Sequence, residues 1–248
     1  HQILTDKKVG DLLAAAADED LNDIEQANLR EMTRQYQQAS LLPESLVEAK
    51  SLAGSKCEHA WRTQRPANDW HGFSANLKEV VKLSREEARL RAEAKSCSPY
   101  DALLDIFEPD MTSARLDVLF GDMKSWLPDL LANAVEKQSQ QSFVPPQGPF
   151  PTATQRELGL EAMKMLGFDF NGGRLDVSAH PFCGGVPEDV RITTRYDEEE
   201  LLSALFGVVH ETGHARYEQN LPRAWAGQPV ALARSTAIHE SQSLFFEM

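Results

Sequence analysis

Apolar residues three and four positions apart recur from the N-terminus to about Gly167, and no other feature of the chain constrains its fold as strongly. The stretches Asp11 to Gln38, Leu77 to Lys95 and Thr112 to Gln138 place Glu, Lys, Arg and Gln between the apolar positions, with breaks at Leu42-Pro43, Arg65-Pro66 and Ser98-Pro99. Such stripes bury one face of each helix, so the spacing predicts amphipathic helices packing on one another, a scaffold rather than a site. With 248 residues, 42% of them hydrophobic, the chain can bury a substantial core. It contains no internal repeat and no low-complexity tract.

The pattern changes after the Pro-rich break Val144-Pro145-Pro146-Gln147-Gly148-Pro149 and one more helix. Phe168-Asp169-Phe170 and Arg174-Leu175-Asp176-Val177-Ser178 flank Asn171-Gly172-Gly173, residues that tolerate positive φ, which predicts a hairpin. A second strand is expected after Gly184-Gly185, where period two sets Asp189, Arg191, Thr193 and Arg195 on a polar face and Val190, Ile192, Thr194 and Tyr196 on a buried one. Helical spacing then resumes. Asp197 followed by Glu200 resembles a capping box, and Leu201, Leu202, Leu205, Val208 and Val209 supply apolar packing. Breaks at Leu221-Pro222 and Gly227-Gln228-Pro229 precede a last helix expected over about Val230 to Met248.

Well inside the resumed helix stands His210-Glu211-Thr212-Gly213-His214. At about 3.6 residues per turn, positions four apart lie about 40° apart around the axis, so both imidazoles can meet one ion while Glu211 reaches its water. A bare His-Glu-x-x-His arises on many charged helices. Here the flanks are apolar, and Gly213 leaves room for a neighbouring strand to approach.

A catalytic ion held this way needs a further protein ligand. Glu218 lies eight residues from His210, about 12 Å along the axis, too far to reach that ion, and is assigned to a supporting contact or to solvent. Glu240, on the next helix, is the preferred third ligand. His239 is its rival, but neighbours on a helix point about 100° apart, so only one faces the ion; His239 is placed just outside the ligand set, orienting a ligand or meeting substrate. One divalent cation is expected, Zn2+ by preference, with Co2+ or Mn2+ also suited. The ion polarises a scissile carbonyl and acidifies a water, and Glu211 takes that water's proton and delivers it to the departing amine. Amide hydrolysis is the predicted chemistry.

Composition narrows the partners. With 38 acidic against 25 basic side chains the formal charge is -13, so a phosphate backbone or anionic bilayer is repelled, and neither nucleic acid nor membrane is expected as a partner. No apolar run approaches the roughly 20 residues of a bilayer span, and the first residues lack the regions of a secretory signal. Cys57, Cys97 and Cys183 are odd in number and unpaired in spacing, which points to a reducing compartment and a cytoplasmic protein.

These motifs resemble the thermostable carboxypeptidase family of metallopeptidases, the Thermus (Taq) type. His210-Glu211-Thr212-Gly213-His214 matches that family's metal motif, His239-Glu240-Ser241-Gln242 its second motif with the ligand Glu, and Asp189-Val190-Arg191-Ile192-Thr193 its Asp-x-Arg-x-Thr motif. His180-Pro181-Phe182 and Tyr217-Glu218-Gln219 also resemble family sequence. The resemblance implies a mainly α, multi-helix metallopeptidase fold with a small β-sheet or hairpin beside the active-site helix. It further implies a homodimer that removes single residues from peptide C-termini with broad side-chain preference. Two further family motifs, one ending in His-Trp and one containing Ile-Arg, and the family's N-terminal helices lie outside these residues. The chain is therefore expected to be a fragment cut at both ends, a single mostly helical catalytic domain over 1–248 with scaffold over 1–167 and the strand and metal-site region over 168–248. Within it Arg191 is the candidate to hold a substrate carboxylate through its guanidinium fork, or else to pair with Asp189 on the same face. Asp189 and Thr193 are assigned to site support, and His180 to the substrate pocket or a hydrogen-bonded turn. Two rival readings use the same residues: a metalloendopeptidase, and a helical interaction protein with a vestigial motif.

Overall fold

The computed structural model describes residues 1–248, nine α-helices and one three-stranded sheet, a mainly α architecture. The chain divides into two compact units: His1–Asp110 with Ala224–Leu232, and Met111–Arg223 with Ala233–Met248. No helix is long and apolar enough to cross a membrane.

The first unit holds α1 (Lys7–Ala16), α2 (Asp23–Ser40), α3 (Glu44–Gln64), α4 (Trp70–Lys95) and α5 (Pro99–Phe107). The periodic stretch from Asp11 to Gln38 is two helices rather than one. Asn22 caps the backbone of Ile24 and Glu25 while the Glu25 carboxylate accepts from the Asn22 amide, and this capping box starts a new helix. Leu42, Leu46 and Leu83 form the core between α3 and α4, with Val47 and Leu90 packed against it. Buried charge is paired: Glu87 accepts from Lys50 and Arg91, and Asp105 from Arg34, Lys95 and the Asp110 amide.

The second unit holds α6 (Ser113–Ser139), α7 (Thr152–Met165), β1 (Gly173–Val177), β2 (Phe182–Val186), β3 (Asp189–Thr194), α8 (Leu201–Gln219) and α9 (Thr236–Glu247). The strand order is β1-β3-β2, with β1 parallel and β2 antiparallel to β3. The hairpin therefore joins β2 to β3 at Pro187-Glu188, not the segments flanking Asn171-Gly172. Those residues form a 3-10 turn in which Asp169 accepts the Asn171 amide, while Phe168 turns into the core, so nothing before them pairs with β1. Met163, Phe168, Leu175, Val190, Ile192, Val208 and Ala215 make that core, joining α7, the sheet and α8.

Three further expectations change. Helix α8 is capped by Glu200, whose carboxylate accepts from the Leu202 and Ser203 amides, because Asp197 is engaged upstream with the Glu199 amide. Helix α9 starts at Thr236 rather than near Val230, since Pro229–Ala231 close a 3-10 turn and Ser235 then caps the Ile238 amide. Helix α6 does not pack as its stripe predicts: it buries no residue and leaves Val118, Phe120, Trp126 and Leu131 exposed. Apolar spacing specifies a face that favours a partner without specifying which element supplies it.

Candidate metal centre

The middle turns of α8 are its most buried part, with Glu211, Thr212, Gly213 and Ala215 all withdrawn from solvent. A β-carbon on Gly213 would stand 2.5 Å from Ser243 Cα and 2.8 Å from the Gln242 carbonyl oxygen, so α9 touches α8 backbone to backbone. The neighbour that Gly213 admits is thus a helix, not a strand. Ser243 is fully buried at this contact, and its hydroxyl lies 2.8 Å from the Glu240 carbonyl and 3.0 Å from Glu240 Oε2. Close approach and that hydroxyl together aim Glu240 at α8.

The result is a convergence of three donors. Glu240 Oε2 lies 3.6 Å from His210 Nε2 and 3.4 Å from His214 Nε2, and the three ligand atoms all fall within 4.8 Å of one another. Ligand atoms about 2.0–2.2 Å from one tetrahedral ion stand roughly 3.3–3.6 Å apart, and both separations from Glu240 match that span, as two donors sharing one divalent cation require. The hydrogen bonds on the far side of each ring agree. His210 Nδ1 is 2.5 Å from Glu247 Oε1. His214 Nδ1 is 2.6 Å from His239 Nδ1, and His239 Nε2 is 2.8 Å from Glu218 Oε1. A carboxylate only accepts, so neutral His239 carries its hydrogen on Nε2 and accepts at Nδ1 from the Nδ1–H of His214. Both His210 and His214 are left with an Nε2 lone pair facing Glu240.

Electrostatics follow from burial. Removal from water pushes Glu211 above the usual carboxylate range, reinforced by Glu240 and opposed by His210 and His239. Burial lowers His214, aided by the neighbouring His239, which favours the neutral ring that a ligand must be. These groups open onto a cleft of ≈ 680 Å³ walled by β2, Val190, His180 and the segment Ala233 to Thr236. Cys183 stands in that wall with its thiol pushed up to about 12, by burial first and then by Glu211 and Glu218.

Of the other residues singled out from the sequence, His239 and Glu218 join the cluster as described. His180 lies on the cleft wall, exposed, with its carbonyl accepting from Ser178. Arg191 is held by Asp189 through contacts of 3.0 and 2.5 Å on the outward face of β3, outside the cleft wall. Thr193, on the face read as polar, is buried because its hydroxyl ties Ser178, the His180 carbonyl and the Phe182 amide into one turn. Sequence reasoning missed Glu247 and Ser243. Glu247 follows Glu240 by seven residues, two turns along the same helical face, but that spacing alone does not bring it to His210.

Comparison with known proteins places these observations. The family model described as carboxypeptidase Taq (M32) metallopeptidase matches residues 1–248. The chain is 38% identical over 260 residues to thermostable carboxypeptidase 1 of Thermus thermophilus, covering 100% of this chain and 51% of that protein. It is 38% identical over 217 residues to carboxypeptidase 1 of Bacillus subtilis, covering 86% of this chain and 42% of the relative. Among solved structures, Trypanosoma cruzi metallocarboxypeptidase 1 superposes with a TM-score of 0.87 at 49% identity, over 100% of this chain and 50% of that one. The chain spans about half the length of the curated relatives it matches.

Proposed function

The chain belongs to the carboxypeptidase Taq (M32) family of metallopeptidases, and from this we propose that it carries the metal centre of a carboxypeptidase releasing single residues from peptide C-termini. The observation that carries the reading is the meeting of His210 Nε2, His214 Nε2 and Glu240 Oε2 at one point, each ring turned there by a hydrogen bond at Nδ1. We assign these three as ligands of one divalent cation, zinc by preference, since two imidazoles and a carboxylate form a common catalytic zinc set. When bound, the cation supplies Lewis acidity toward a peptide carbonyl and acidifies a water.

The remaining chemistry belongs to the chain. Glu211 accepts the proton of the attacking water and returns it to the departing amine. Glu218 and His239 hold His214, and Ser243 holds Glu240. We assign His180 and β2 to contact with peptide, and the Asp189–Arg191 pair and Thr193 to keeping the strand and turn beside the cleft in place. The net charge of -13 supports peptides rather than nucleic acid or bilayers as partners. A homodimer of full-length chains in the cytoplasm completes the proposal, the compartment supported by the free thiols Cys57, Cys97 and Cys183.

The test is a product ladder. Full-length protein incubated with a defined peptide shortens it stepwise from the C-terminus. Internal fragments would assign the site to an endopeptidase instead, and an intact peptide with no metal bound would leave a helical interaction protein.

A further inference from the structure

We infer that Glu247 is a positioning residue for the ion: its carboxylate accepts the Nδ1–H of His210 and so keeps the Nε2 lone pair of that ring turned to the ligand cluster. The inference rests on the metal reading of His210, His214 and Glu240 and adds to it a residue that touches neither ion nor peptide.

The geometry is direct. Glu247 Oε1 and His210 Nδ1 are 2.5 Å apart, in direct hydrogen-bond contact. The ring is one-third exposed or less, with 29% of its side chain open to solvent, and it stands edge-on to His214 with centroids 4.9 Å apart. The Glu247 carboxylate thus holds the Nδ1 side of the ring, while its Nε2 side faces Glu240 Oε2 at 3.6 Å and its edge meets His214. The neutral histidine side chain in water favours the hydrogen on Nε2. Left unsupported, His210 would aim that hydrogen at the point where Glu240 and His214 converge, and an ion would have to displace it. A carboxylate at Nδ1 reverses the preference and makes the ring a stronger donor.

The same logic operates once more in the cluster with different parts. His214 has its Nδ1 held by His239, which Glu218 holds in turn. Each imidazole is thus backed by a carboxylate, one directly and one through a second ring. Helix α9 supplies both a ligand, Glu240, and the support of another ligand, Glu247, two turns apart on one face. The contact between Gly213 and Ser243 that brings one of them to α8 also brings the other.

The experiment uses the full-length protein stripped of metal with a chelator. Zinc affinity is measured by competition with a chromophoric chelator for wild type, Glu247→Gln and Glu247→Ala, alongside the melting temperature of each metal-free chain. Imidazole nitrogen NMR reads the tautomer of His210 without metal. The expected result is a loss of zinc affinity of about 10–100-fold in Glu247→Ala. Glu247→Gln, whose amide oxygen still accepts, falls between, and wild-type His210 carries its hydrogen on Nδ1. Unchanged affinity in Glu247→Ala, or an Nε2–H tautomer in wild type, overturns the inference alone. A wild-type chain that takes up no zinc overturns the metal reading together with it.

Discussion

Ser243 Cα stands 2.5 Å from the position a β-carbon on Gly213 would occupy, which makes this pair the point where α8 and α9 meet. Glu240 lies one turn before Ser243, so the separation of the two backbones sets the reach of its carboxylate toward His210 and His214. Gly213→Ala is predicted to overpack the contact, costing about 1–3 kcal/mol and weakening zinc binding as Glu240 is pushed back. Gly54→Ala, in the middle of α3 with nothing within 4 Å, is predicted to act in the opposite direction, gaining about 0.5–1 kcal/mol. Urea unfolding of both variants checks the pair of signs.

Asp105 ties acid stability to the first unit. Burial alone would raise its carboxyl, but hydrogen bonds from Lys95, the Asp110 amide and Arg34 outweigh that and hold it well below the ordinary carboxylate range. A depressed folded pKa stabilises fully above the unfolded value of about 3.9, and the stabilisation is lost as pH falls from there toward the folded value. Asp105→Asn is predicted to cost about 1.5–3 kcal/mol at pH 7. The gap to wild type should close below about pH 4. A gap that stays constant across the acid range would contradict the assignment.

Cys183 faces the cleft yet should react slowly. Its thiol is pushed up to about 12 by burial and by Glu211 and Glu218, so little thiolate forms near neutral pH. Iodoacetamide at pH 8 is predicted to label exposed Cys97 first and to leave Cys183 largely unmodified. Mass spectrometry showing equal rates at the two cysteines would refute this.

Glu211→Gln separates holding an ion from using it. The residue is not among the three converging donors, so zinc affinity should stay within a few-fold of wild type. Loss of the general base is predicted to lower turnover by about 100-fold or more. Retained turnover would remove Glu211 from the proposed role.

Much of this structure was legible in the residues and some of it was not, for physical reasons. Helical period and Pro breaks located the helices, because those signals are local. The spacing of His210, Glu211 and His214 on one helix, and of Glu240 on the next, was legible for the same reason. What escaped depended on distant partners. Asn171-Gly172 suits a tight hairpin equally well as the 3-10 turn it forms, and the choice lies in the parallel pairing of β1 with β3, made by residues seventeen positions apart. Gly213 signalled a close approach without saying that a helix makes it. Glu247 shares a face with Glu240, but its meeting with His210 depends on how α9 crosses α8, which spacing along one helix does not encode.

The most direct test is anomalous diffraction at the zinc edge from crystals of the full-length protein. One peak bounded by Nε2 of His210, Nε2 of His214 and a carboxylate oxygen of Glu240 is predicted. A peak that excludes Glu240, or an ion bound elsewhere with these three side chains left bare, would contradict it.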